Sequence, residues 1–196
     1  ERYDSIIDDL TKNKGSLSLN LKRVLAGDAF NHCSRYDAII SNYFSEKVIT
    51  EKNEQFPLTV SPIFTKISDL RYGENPHQKA AFYKSSNDIG LPSMTQHHGK
   101  ELSFNNIVDV EAAWQIVKEF DIPGSVIIKH TNPCGAAIDN SLLQAYKKAY
   151  DADPTSAFGS VVGLNRVVDL ATANEISKTF VEIVIAPGFD REALAV

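Results

Sequence analysis

The stretch SVIIKHTNPCGAAI (residues 125–138) decides how the chain is read. Val126-Ile127-Ile128 is a short β-branched run of the kind carried by a strand buried on both faces. It passes straight into Lys129-His130, and the composition of Asn132-Pro133-Cys134-Gly135 predicts a turn two residues later. Successive strand residues point to opposite faces, so two basic side chains leave together only where the strand has ended. Such a pair is either two surface charges, the commoner case for Lys-His, or two groups aimed into a site.

Working outward, Val110, Ala113, Trp114, Val117 and Phe120 fall at helical spacing from about Ile107, and Pro123-Gly124 ends that helix. Ser141 and Gln144 have capping-box spacing and open a helix that buries Leu142, Leu143, Tyr146, Ala149 and Tyr150. FGSVVGL (158–164) reads as a strand. Thr172 and Glu175 repeat the capping-box pattern before Ile176 and Phe180, and IVIAP (183–187) is a third strand ended by Pro187-Gly188. Helices alternating with strands predict an α/β layer on a central sheet. Ligands of such sheets gather beyond the strand ends, where Lys129-His130 and the TSAFG turn (155–159) both fall.

Upstream, residues 1–50 are helical by periodicity, with Leu21, Val24, Leu25, Cys33, Tyr36, Ile40, Tyr43 and Phe44 as apolar stripes on two successive helices. The polar EKNEQ (51–55) and the proline-bearing FPLTVSPIF after it place a domain boundary between 1–55 and 56–196. DLRYGENPHQKAAFY (69–83) holds a Gly-Glu-Asn-Pro turn between two extended pieces, and HHGKELSFNN is irregular and polar.

Composition bounds the function. A chain of 196 residues with 43% hydrophobic and 23% charged residues is that of a soluble globular protein, one domain or one plus part of another. A net charge of −5 argues against nucleic acid as the main ligand. Cys33 and Cys134 cannot form a disulfide scaffold or a Cys-x-x-Cys zinc site, so a reducing, cytoplasmic setting is expected. No apolar run approaches the ~20 residues of a membrane span. Opening on ERYDSIIDDL and closing on REALAV, in mid-pattern, the chain reads as an excerpt of a longer protein. It has no Gly-x-Gly-x-x-Gly and no Walker lysine loop. A zinc nucleobase deaminase needs His-x-Glu and Pro-Cys-x-x-Cys; only Pro133-Cys134 is present, so no metal is expected.

Four places carry chemistry. Lys129-His130 makes sense as a base beside a cation that stabilises developing negative charge. Arg71-Tyr72, ahead of the Asn75-Pro76 turn, offers a guanidinium fork for phosphate with a hydroxyl alongside; a plain polar turn is about as common. In Thr155-Ser156-Ala157-Phe158-Gly159, Gly159 permits close approach of a ligand and Phe158 a stacking face, although an ordinary helix-to-strand loop looks much the same. Glu182 is a solvated carboxylate or an acceptor for sugar hydroxyls.

Together LRYGENPHQKAAFY, GKELSFNNIVDVEAAW, IIKHTNPCGAA, YDADPTSAFGSVVGLNRVVD and IVIAPGF cover most of residues 69–189. In that order they resemble the AICAR transformylase/IMP cyclohydrolase family of purine biosynthesis. AFNHCSRYDAIISNYF resembles the helical end of the family's cyclohydrolase domain. The resemblance implies formyl transfer from 10-formyltetrahydrofolate, as co-substrate, to the 5-amino group of AICAR. It implies His130 as proton acceptor and Lys129 as transition-state stabiliser. Arg71 and Tyr72 match the nucleotide-contacting pair, Gly159 and Glu182 fall at nucleotide contacts, Asn105 lies in a motif near the site, and Phe158 is a folate-side candidate. The implied fold is a cytidine deaminase-like three-layer sheet-and-helix domain without zinc, in a homodimer, with neither nucleic acid nor membrane as partner. Two other classes remain open: a non-catalytic α/β nucleotide-binding module, and a structural domain whose loop charges face water.

Overall fold

The computed structural model describes residues 2–48, 59–85 and 90–196. The boundary expected at 55–56 lies outside the described residues. The chain divides into two compact units, Glu1–Thr65 with Lys84–Asn87, and Lys66–Tyr83 with Asp88–Val196.

The first unit holds α1 (Tyr3–Lys12) and α2 (Leu19–Tyr43), the latter opened by Ser18, whose side chain accepts from the Leu21 backbone N–H. The stripe from Leu21 to Tyr43, expected on two helices, lies on α2 alone, and Phe44 begins a π turn at its end. Gly27 in its interior costs only about 1 kcal/mol, too little to break a helix this long. Neither helix has a buried residue; Phe30 and Tyr36 are 76% and 62% exposed. No helix among the described residues is long and apolar enough to cross a membrane.

In the second unit, β1 (Phe64–Leu70), which begins in the first, pairs with β2 (Ala80–Ser85), and α3 (Phe104–Val117) follows. Ser103 and Asn106 form a capping box at the head of α3, so the helix starts earlier than its apolar periodicity indicates. Then come β3 (Gly124–Lys129), β4 (Asn132–Ile138), α4 (Leu142–Ala152), the short α5 (Pro154–Ala157), β5 (Ser160–Leu164), α6 (Leu170–Ile176) and β6 (Val181–Ile185). The sheet runs β4-β3-β5-β6, with β3 antiparallel to β4 and β5, and β5 parallel to β6.

The central strands are buried on both faces, as their apolar runs predict. Val126, Ile128 and Val161 pack with Val110, Ala113 and Val117 of α3. Ile127, Val162 and Leu164 pack on the other face with Leu142, Tyr146 and Ala149 of α4 and Ile176 of α6. The result is an α/β domain of three layers. Burying a side chain such as Ile127 is worth roughly 1.5–3 kcal/mol, so this double face is the principal source of stability.

Asn132-Pro133-Cys134-Gly135 is not a turn. It is the first half of β4, an edge strand where proline's missing N–H is tolerated. A bulge between Ile127 and Ile128 in the β3–β4 register leaves Cys134 as the extra residue. Gly135 is required by space: a Cβ there would lie 1.9 Å from the Ala149 carbonyl oxygen, so α4 rests directly on β4. The expected capping boxes also differ. Ser141 caps α4 without a side-chain bond, and α6 is capped by Asp169, which accepts from the Thr172 N–H while the Thr172 hydroxyl is buried within the helix.

Candidate active site

The turn lies at His130-Thr131, immediately before the Asn-Pro pair. Their φ values of 49° and 65° put both in the left-handed region, the signature of a two-residue I′ hairpin loop. Lys129 and His130 therefore part. Lys129 is the last residue of β3, on the same face as Ile127, and its ammonium donates to the Phe158 carbonyl at the end of α5. One of its three donors is thus taken. Its Nζ lies 3.9 Å from where a Gly159 Cβ would stand, an ordinary contact distance. Gly159 has φ 68° and donates to the Phe180 carbonyl, fixing the entry to β5. His130 is exposed, and no described residue hydrogen-bonds its imidazole.

The turn is tied to α3. Asp109 Oδ1 accepts from the Thr131 N–H at 2.7 Å, while the Thr131 hydroxyl and the Asn132 amide donate to the His130 carbonyl at 2.6 and 2.9 Å.

One turn earlier on α3, Asn106 is the hub of the second cluster. Its Oδ1 accepts from the Ser103 N–H (3.0 Å) and hydroxyl (2.9 Å), and from Arg71 Nη2 at the limit of hydrogen bonding (3.5 Å). Its amide donates to Glu182 Oε2 at 3.1 Å. Arg71 also stacks over the Tyr72 ring, 4.9 Å from its centroid. Its remaining N–H groups are exposed and suited to an anion. Arg71 is carried by the loop after β1, whose Gly73 N–H and Glu74 carbonyl are held by the Gln78 carbonyl and Asn105 Nδ2. Asn105 therefore points to the loop backbone and braces it.

Glu182 is the second residue of β6, not a residue ahead of it. Phe158 is 60% exposed and meets Phe180 at 5.5 Å between ring centroids, an apolar pair beside Gly159. His77, by contrast, lies in the loop between β1 and β2 and makes no bond to these side chains among the described residues.

The C-terminal end of β3 and the N-terminal ends of β5 and β6 lie on one side of the sheet, by the antiparallel and parallel registers. The structure thus brings Lys129, Gly159 and Phe158 together, and Arg71, Tyr72 and Glu182 together around Asn106. The first two turns of α3 link the second group to the hairpin that carries His130. Sequence reasoning missed Asn106 and Asp109. The spacing Ser103-x-x-Asn106 could have revealed the first as a capping box with asparagine in place of glutamate or glutamine. Nothing in the sequence singled out the second. Among the described residues, no group of three His, Cys, Asp or Glu side chains is placed to hold a metal ion.

Curated relatives match nearly the whole chain. The bifunctional purine biosynthesis protein PurH of Thermoanaerobacter sp. (strain X514) is 48% identical over 195 residues, covering 99% of this chain and 37% of its own length. The protein of the same name from Lysinibacillus sphaericus (strain C3-41) is 48% identical over 194 residues, covering 98% of this chain and 37% of its own. The chain thus spans well under half the length of these relatives. A model of the family described as AICARFT/IMPCHase bienzyme matches residues 1–196. With that match along its full length, the chain belongs to the AICARFT/IMPCHase bienzyme family.

Proposed function

We propose that this chain contributes part of a formyl-transfer site, the AICAR transformylase site of a bifunctional enzyme that also closes the ring to IMP. The observation that carries this reading is the arrangement at one end of the sheet. An exposed guanidinium and the backbone of the turn that carries an exposed imidazole are each tied to the first turns of α3, and an ammonium is held at the neighbouring strand end.

In this reading Arg71 takes the 5′-phosphate of AICAR with Tyr72 beside it, while Gly159 and Glu182 line the nucleotide and Phe158 faces the folate. Asn105 braces the loop that presents Arg71. The 5-amino nitrogen, conjugated with the imidazole and carboxamide, is a weak nucleophile. It attacks the formyl carbon of 10-formyltetrahydrofolate, and the bond from that carbon to N10 breaks. His130 accepts the proton lost by the amine, N10 leaves with a proton, and Lys129 stabilises the oxyanion formed in between. The domain is read as a cytidine deaminase-like fold without its zinc, in a cytoplasmic homodimer.

Replacing His130 by alanine in the full-length protein tests this. A positioned general base is worth about 10²–10⁴ in kcat. AICAR affinity should move far less, because the lost interaction belongs to the transition state. Retention of more than about a tenth of wild-type kcat would rule out His130 as the base. Full activity in both the Lys129→Ala and His130→Ala enzymes would favour a domain whose loop charges face water.

A further inference from the structure

We propose that Asp109 is a positioning residue: its carboxylate holds the His130-Thr131 turn in the conformation that presents the imidazole. The inference rests on His130 being the base of the proposed transfer, and it adds a residue that does not itself touch substrate.

The turn is built from unfavourable residues. I′ loops favour Asn-Gly because both central residues need positive φ. Here the second position is threonine at φ 65°, and a β-branched side chain in that region is an outlier. Something outside the hairpin must hold it there. Within a two-residue turn, the N–H of the second residue takes no part in the strand ladder. The Thr131 N–H meets Asp109 Oδ1 at 2.7 Å instead. The carbonyl of His130 is held from within the hairpin by Thr131 and Asn132. These two backbone groups of the turn are therefore occupied, and Asp109 is the partner that comes from another element.

Asp109 stands three residues after Asn106, on the same side of α3. Asn106 holds Arg71 and Glu182. The helix thus sets the turn bearing the base in register with the group proposed for phosphate, with both anchors fixed by the packing of Val110, Ala113 and Val117. If the Asp109 bond is lost, the turn can relax out of the left-handed region and the imidazole swings away. A displacement on the order of 1 Å can cost about 10²-fold in rate.

The test uses the full-length enzyme with AICAR and 10-formyltetrahydrofolate, and His130→Ala as reference. Asp109→Ala should lower kcat by roughly 10–100-fold while the dissociation constant for AICAR stays within about twofold. Asp109→Asn keeps an oxygen acceptor and should recover most of the loss without moving the pH profile of kcat. Asp109→Glu keeps the charge but displaces the acceptor, so it should be slower than Asp109→Asn. Adding Thr131→Gly to Asp109→Ala should restore part of the rate, because glycine adopts positive φ without strain.

The reverse order, with the Glu variant faster than the Asn variant, overturns positioning in favour of a charge effect. An Asp109→Ala enzyme with near-wild-type kcat, beside an inactive His130→Ala enzyme, overturns the Asp109 assignment and leaves the reading of His130 standing. An active His130→Ala enzyme instead defeats the reading of the site. Amide exchange at Thr131 supplies a readout that needs no turnover. It should quicken at least about tenfold in Asp109→Ala and much less in Asp109→Asn, which keeps the acceptor, and an unchanged rate in Asp109→Ala overturns the proposal.

Discussion

Replacing Gly135 by alanine puts the contact between α4 and the sheet edge to a quantitative test. The added methyl carbon would start 1.9 Å from the Ala149 carbonyl oxygen and 2.8 Å from its carbonyl carbon. Side-chain carbons essentially never come within 3.0 Å of such atoms, so the two backbones must separate by about 1 Å. No side chain can swing aside, because both obstacles are main chain. Overpacking costs about 1–3 kcal/mol, and a clash against helix backbone belongs at the top of that range. At ~2–4 °C per kcal/mol for a chain of this size, the melting temperature should fall by roughly 6–12 °C. Circular dichroism during heating, with urea unfolding alongside, would measure it. Gly27→Ala is the matched control: among the described residues nothing lies within 4 Å of its added carbon, and it sits inside α2. That change should stabilise the helix by about 0.5–1 kcal/mol. If Gly135→Ala costs less than about 0.5 kcal/mol, α4 does not rest on β4 as described.

Arg71→Lys in the full-length protein keeps the charge but loses the fork, so AICAR binding should weaken more than folate binding; calorimetric titration with each ligand would show equal losses if Arg71 has no phosphate role. Asn165 accepts from the Gly124 N–H and donates to the Phe120 and Ile122 carbonyls, all between 2.7 and 2.9 Å. Asn165→Leu strands the buried Gly124 N–H and two part-buried carbonyls and should cost about 1–3 kcal/mol in urea unfolding, with a value near zero excluding the bracket. The Ser156 hydroxyl and N–H hold the Asp153 carboxyl below its ordinary 3.8. A depressed carboxyl stabilises the fold above its unfolded value, and that contribution disappears as pH falls through the folded value. Stability measured from pH 5 downward should therefore decline less in Asp153→Asn than in the parent. Burial pushes the Cys134 thiol up, and it lies against the Ile127 carbonyl. Its reaction with an aromatic disulfide at pH 8 should be slower than in the urea-unfolded chain, and equal rates would contradict that packing.

The strands of the sheet centre and the helices covering them were legible because burial on two faces leaves apolar runs that no turn can imitate. β4 was not, because an edge strand next to a helix follows other rules. Its proline is tolerated for lack of a neighbour, and its glycine answers to Ala149 far along the chain. The same residues, read locally, spell a turn. The true turn was hidden for the opposite reason: His130 and Thr131 have no local taste for positive φ, and the bond that supports them comes from Asp109. Of the candidate residues, Lys129, Arg71, Glu182, Gly159 and Phe158 were singled out from charge, shape and resemblance. Asn106 was passed over because a buried amide bound on both sides resembles any helix cap until its partners are seen. Asn105 stood out in the sequence, but among the described residues its side chain reaches the Glu74 carbonyl and not the other candidates.

The seat of α3 on the sheet has a consequence for how such a site tolerates change. A Cβ added at Gly163 would come within 3.1 Å of both Ala113 Cβ and the Ala113 carbonyl oxygen, so the helix lies about as low as glycine allows. Asn106 and Asp109 share that rigid rod. A small thrust at its midpoint would shift the mounts of the guanidinium and of the imidazole in concert. Variation at Gly163 or Ala113, both in the packing between helix and sheet, would then mimic damage to two separate contacts at once, with losses in affinity and turnover rising in step. A pair of defects inherited from one buried glycine is the mark of a site whose alignment is held by packing.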